Sequence, residues 1–207
     1  MSRSFLGSVL CAVAAGVVVS ATPASAQRLS ISPTVGVYIP TTDLVKAVNG
    51  AQFDQRQQIG IAVGGRLGVS LSPRFGIETS VSYVPSKLQF TLAQDQSATR
   101  TDANLLIGTA RATLHVIPFT KPVWLTVNGG ASLIKRGGEA YQDAEDKSDI
   151  GGVVGASVGF NLGRMLSFYV AADDYIYGTR VADPTLTEKK TQNDVQVAFG
   201  FGLPVGK

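Results

Sequence analysis

Four charged side chains, Arg66, Glu78, Arg111 and Asp173, stand in stretches otherwise built of small and apolar residues. Each shares its parity with small or polar neighbours: Arg66 with Gly60, Ala62, Gly64 and Gly68, Glu78 with Ser80 and Ser82, Arg111 with Thr109 and Thr113, Asp173 with Ala171. Two cations and two anions without a water-facing surface must pair, because an isolated charge out of water is costly. Arg66 and Glu78 each lie about six residues from the Ser72-Pro73 step, so a turn there brings them to similar heights on adjacent strands, where they are expected to touch. Such a cluster could act as a gate, a salt-bridged plug whose rearrangement opens a path for ions. It could also be a satisfied polar core that keeps the molecule closed, and that is the expectation here.

Other chemistries find little support. His115 is the single histidine, and the single cysteine, Cys11, falls in an amino-terminal leader. A histidine-rich metal site, a thiolate site and a disulfide are therefore excluded from the mature chain. An ester hydrolase or acyltransferase needs a histidine beside a serine nucleophile and an acid. His115 is followed by Val116 and Ile117, with no serine two residues on. Tyr169, Asp173 and Tyr175 share one face and could line an upper pocket, but aromatic residues at such a position more often form an interfacial girdle. Glu139, Asp143, Glu145, Asp146 and Asp149 make an acidic stretch that lacks the ligand spacing of an EF-hand loop, so a solvated loop is expected rather than a calcium site. Neither an enzyme nor a cofactor is expected.

The elements that carry these residues follow a period of two. Ile59, Ile61, Val63, Leu67, Val69 and Leu71 alternate with Gly60, Ala62, Gly64, Arg66, Gly68 and Ser70. That is a β-strand with one apolar face, and its other face is too small and too weakly charged for bulk water. Apolar side chains toward lipid and small ones toward a narrow lumen is the pattern of a transmembrane β-barrel. The alternation gives about eight strands, near 29–38, 58–71, 75–83, 104–117, 123–134, 150–162, 166–177 and 194–205. Pro33 lacks a donor and predicts a bulge or frayed start in the first strand. The alternation of Lys87 to Ala93 extends the third strand above the membrane, where an exposed edge could take up a partner strand. Asp43, Leu44, Val45 and Val48 hint at a helical turn in the first long loop.

Connections alternate too. Ser72-Pro73-Arg74, Phe119 to Pro122 and Gly163-Arg164 are tight turns, whereas the segments around 41–57, 85–103, 136–149 and 178–193 are long. Short turns at one end and long loops at the other place both termini in the periplasm. Arg74, Lys121, Arg164, Arg28 and Lys207 occupy the turns and termini, a basic side suited to lipid phosphates.

Residues 1–26 read as a secretory leader: Arg3, an apolar run from Phe5 to Val19, and Ala24-Ser25-Ala26 before the cut. The domain is then 27–207. Leu10 is bulky where a lipoprotein site needs a small residue, so Cys11 is read as part of the apolar run. A net charge of +3, 16% charged residues and 23 glycines describe a chain poor in charge for a soluble domain, and they give no ground for nucleic-acid binding.

With its strand alternation, its turn and loop asymmetry and its leader, the mature chain resembles the small eight-stranded outer-membrane β-barrels of the OmpA/OmpX type. The ending departs from that family, because Phe199-Gly200-Phe201-Gly202-Leu203-Pro204-Val205-Gly206-Lys207 lacks the usual terminal aromatic, and Phe201 or Val205 would stand in for it. The resemblance implies an all-β, up-and-down antiparallel transmembrane barrel, monomeric, in contact with outer-membrane lipids and lipopolysaccharide, and inserted by the barrel-assembly machinery. A plugged barrel acting structurally or through its extracellular loops, with an external ligand, is the first reading. A narrow pore for ions or small solutes, gated by Arg66, Glu78, Arg111 and Asp173, is the second. A soluble lipocalin-like carrier would need charged strand exteriors, and these carry almost none.

Overall fold

The computed structural model describes residues 28–41, 53–92, 98–142, 147–163, 165–180 and 189–205. The leader, the acidic positions 143–146 and the helical turn read at 43–48 lie outside the described residues. The described residues form nine strands: β1 (Arg28–Pro40), β2 (Phe53–Gln57), β3 (Gly60–Ser70), β4 (Phe75–Leu92), β5 (Ala98–Ile117), β6 (Val123–Gly137), β7 (Ser148–Leu162), β8 (Leu166–Arg180) and β9 (Lys189–Val205). β2 and β3 are two parts of one barrel stave, since both pair with β4. Six steps from Gln57 to Val63 match five from Leu88 to Tyr83, which places a bulge at Gln58-Ile59. The eight staves are all antiparallel to their neighbours, and β1 closes the ring against β9.

Closure removes the free edges that an open sheet would present to lipid. The outer surface is apolar: among the described residues thirty large hydrophobic side chains are exposed, including Ile61, Ile77, Val154 and Phe199. Such a continuous surface has no place in water and suits a hydrocarbon layer. Asp174 also faces outward, beside the side-chain amide of Asn193.

Local chemistry fixes the short-turn end. Ser72 Oγ accepts from the backbone amides of Arg74 and Phe75 at 3.3 and 3.0 Å. Gly163 has φ +78°, a backbone conformation that favours glycine. Asn161 Nδ2 donates to the carbonyls of Phe119 and Lys121 at 2.6 and 2.7 Å, tying the β5–β6 turn to the end of β7.

Three expectations are corrected here. Pro33 produces no bulge: β1 keeps one continuous register against β3, with Pro33 opposite Gly65, and its pairing with β9 lapses only at Ser32 and Pro33 without a shift. Pro33 points outward, so a single missing donor is tolerated. The strands are also longer at the loop end than the clean alternation indicated. The extension of β4 is the one that the alternation of Lys87 to Ala93 indicated, but it has no exposed edge, because it pairs with β2 on one side and with β5 on the other. The added length is that of β5, which begins at Ala98, and of β8 and β9, which pair to Arg180 and Lys189. The backbone ladder there does not depend on an apolar face.

Candidate functional site in the barrel lumen

The inward face of every stave points into one lumen, in which three packed layers lie above an open one. In the middle lies the charge cluster. Asp173 on β8 is its hub: Oδ2 accepts from Arg66 on β3 at 2.5 Å and Oδ1 from Arg111 on β5 at 2.6 Å. Glu78 on β4 is directly opposite Arg111 in the ladder. Its Oε1 lies 3.3 Å from Arg66 and 3.5 Å from Arg111, so both arginine contacts fall on one oxygen. Arg111 also donates to Ser80 Oγ at 2.9 Å, Thr109 Oγ1 at 3.1 Å and Asn128 Oδ1 at 3.3 Å. Arg66, Arg111 and Asp173 are buried, while the Glu78 side chain keeps 21% of its exposure. Two cations and two anions balance, and the surrounding hydroxyls and amide take up further donors of Arg111.

Toward the long loops the lumen is apolar. Ala62, Val84, Leu105, Ile107, Ile134 and Val153, with the rings of Tyr38, Tyr175 and Tyr177, form one buried cluster. This corrects the expectation of an interior made only of small and polar residues. The sequence carries the signal at Leu105-Leu106-Ile107, Leu133-Ile134 and Val153-Val154, where consecutive apolar residues make both faces of the strand apolar.

Above that plug a polar layer closes the loop end. The hydroxyls of Tyr38 and Tyr177 both donate to Asp194. Arg136 pairs with Asp149 and lies over the rings of Tyr177 and Tyr141, 5.5 and 5.9 Å from their centroids. Tyr141 sits on a short 3-10 turn (Glu139–Tyr141) that folds back over β5, packing on Leu88 and Ala103 and donating to Gln57 at 2.9 Å. Burial pushes the Tyr141 hydroxyl above its ordinary pKa, with Arg136 acting in the opposite direction.

Toward the short turns the lumen is open, with a cavity of about 770 Å³. Its wall carries a run of aromatic rings: His115 against Phe119 at 4.4 Å, Phe119 against Trp124 at 4.5 Å, and Trp124 against Tyr169 at 5.7 Å. Trp124 and Tyr169 lie opposite Gly159 and Gly200, and a Cβ at either glycine would run into the facing ring. The glycines therefore make the space in which these rings lie along the wall. Of the four cluster charges, only Glu78 lines this cavity.

The triplet Tyr169, Asp173 and Tyr175 does not form an upper pocket, nor is it a girdle at the rim. Tyr169 lines the lower cavity, Asp173 belongs to the charge cluster and Tyr175 to the apolar plug, because successive inward residues of a tilted strand reach different depths. Trp124 was not legible as a lumen residue, since its neighbours Val123 and Leu125 make it look like one member of an apolar run. Among the described residues no group of histidine, cysteine, aspartate or glutamate is placed to hold a metal ion.

A closed ring of eight antiparallel staves, apolar outside and filled inside, with tight turns at one end, is the fold of the small outer-membrane β-barrels. Solved structures agree. The chain superposes on the outer membrane protein OprG from Pseudomonas aeruginosa with a TM-score of 0.59 at 11% identity, covering 88% of this chain and 97% of that one. Neisserial surface protein A gives 0.55 at 13% identity, over 84% of this chain and 96% of that one. The outer membrane protein AlkL, solved in lipid bilayers, gives 0.51 at 10% identity, over 91% of this chain and 94% of that one. At such identities the likeness is one of fold. No family model matches the sequence, and no curated protein matches it.

Proposed function

We propose that the chain is a monomeric integral protein of the bacterial outer membrane with a lumen that does not conduct, and that it acts structurally or through its extracellular loops. The observation that carries this reading is the filled upper lumen. Leu105, Ile107, Ile134, Val84 and Val153 are at most 2% exposed, directly above a charge cluster in which Asp173 is 1% exposed. Water and ions would have to displace both layers. The exposed apolar belt supports contact with lipid and lipopolysaccharide, and insertion by the barrel-assembly machinery. The reading is non-enzymatic, with His115 in the lower lumen, where its Nδ1 meets Thr126 Oγ1 at 3.3 Å.

A narrow pore is the second reading, favoured by the lower cavity, which takes water-sized groups halfway through the molecule. Proteoliposomes in an isosmotic solution of a small sugar separate the two. Vesicles carrying the folded barrel should swell no faster than protein-free vesicles, and rapid swelling would establish the pore.

A further inference from the structure

We propose that the lower cavity is a binding site for a small molecule bearing a primary ammonium group on a short apolar body, entering from the side of the short turns. The inference does not depend on what the extracellular loops do. At about 770 Å³ the cavity has the size of small-molecule sites generally. One carboxylate, Glu78, stands at its closed end, and no other acidic side chain among the described residues lines it. Arg66 and Arg111 hold Glu78 Oε1 from behind and are themselves absent from the lining, so an incoming group meets the carboxylate first. That orientation is fixed by the fold before any ligand arrives.

The chemistry of the site selects the ligand. A carboxylate only accepts hydrogen bonds, so it favours a group that donates them. Because the cluster is neutral as a whole, charge attraction is modest and the N–H bonds to Glu78 contribute a comparable share. A primary ammonium therefore suits the site better than a quaternary one, which has no N–H. Phe119, Trp124 and Tyr169 offer apolar walls to the body. Lys121 at the mouth is exposed and screened by water and salt, so it opposes a cation only weakly.

Trp124 is the only tryptophan of the chain and stands in the cavity wall, which provides the assay. The full barrel, folded in lipid nanodiscs, is titrated near neutral pH with n-hexylammonium, n-hexyltrimethylammonium, n-hexanol and n-hexanoate while Trp124 emission is followed. Hexylammonium should give a saturable change and bind at least about tenfold more tightly than the other three, the factor expected for one charge-assisted hydrogen bond. Glu78→Gln should remove that preference and leave hexanol binding within about twofold, whereas Glu78→Asp should retain it. Equal binding of hexanol would reduce the site to an apolar cavity, and tighter hexanoate binding would show that the basic mouth dominates. A response that never saturates would be partition into lipid. Each of these overturns the proposal, and the comparison of probes on the unaltered protein stands even if the Glu78 variants fail to fold.

Discussion

Replacing Asp173 with alanine would leave Arg66 and Arg111 buried with Glu78 as their only carboxylate. Asp173 is 1% exposed and holds the two guanidinium groups at 2.5 and 2.6 Å, one on each oxygen. Glu78 is 21% exposed and meets the same groups at 3.3 and 3.5 Å on a single oxygen. Removing one partner of a fully buried pair costs about 3–5 kcal/mol, because the other charge stays desolvated. Glu78→Ala leaves both arginines still paired with Asp173, and cavity water can reach the vacated space. Its cost should stay near the value for a hydrogen bond to a charged group, about 1.5–3 kcal/mol. Urea unfolding of barrels refolded into lipid vesicles, read by Trp124 emission, measures both. Asp173→Ala should be the more destabilising by about 2 kcal/mol, and the Arg111→Ala/Asp173→Ala pair should cost less than the sum of its members. A Glu78 variant as damaged as the Asp173 variant, or strict additivity, would refute the assignment of Asp173 as the hub.

Further outcomes follow from the same layers. Cysteines placed at positions 147 and 189 should react with an impermeant maleimide on intact cells while one at position 121 is spared; labelling of 121 alone would mean an inverted or unformed barrel. Tyr141→Phe should lose the bond to Gln57, about 1 kcal/mol at neutral pH. Because burial raises the folded-state pKa of Tyr141, stability from its neutral hydroxyl is complete below the ordinary tyrosine value and falls as pH rises past it. The difference between parent and Tyr141→Phe should therefore shrink between about pH 8 and about pH 11, and a constant difference would contradict this. Gly159→Ala places a Cβ against the Trp124 ring and 2.7 Å from the Phe168 carbonyl, and should cost about 1–3 kcal/mol with a shifted Trp124 emission. Gly152→Ala, whose nearest neighbour would be the Gly130 carbonyl at 3.8 Å, should cost little, and equal costs would contradict the packing described.

The barrel was legible because a strand with lipid on one side and a narrow lumen on the other keeps a strict period of two. Ile61, Val63 and Leu67 outside with Ala62 and Arg66 inside is such a pattern, and tight turns at Pro73 and Gly163 mark where it reverses. The same parity assigned Arg66, Glu78, Arg111 and Asp173 to one face. The Arg66–Glu78 contact was legible from their like heights above the turn at Pro73, and it is present at 3.3 Å. That Asp173 joins both arginines was not, since depth in the lumen depends on stagger between staves that are far apart in sequence. Asp173 and Arg66 are 107 residues apart yet make the shortest contact of the cluster. The apolar plug was hidden for a different reason. Where the lumen narrows onto Leu105, Ile107 and Val153, both faces of the strand are apolar and the period fades. At the loop end the alternation of Lys87 to Ala93 reported the extension of β4, whereas the matching start of β5 at Ala98 and the extended pairing of β8 with β9 rest on backbone hydrogen bonds that no side-chain pattern reports.

The closed lumen is tested most directly by single-channel recording of the folded barrel in planar lipid bilayers at high salt. The apolar plug beneath the Tyr38–Asp194–Tyr177 layer, seated on the Asp173 cluster, should give a baseline without discrete conductance steps. Reproducible unit steps from the unaltered protein would show a continuous wet path through those layers and would contradict the closed barrel.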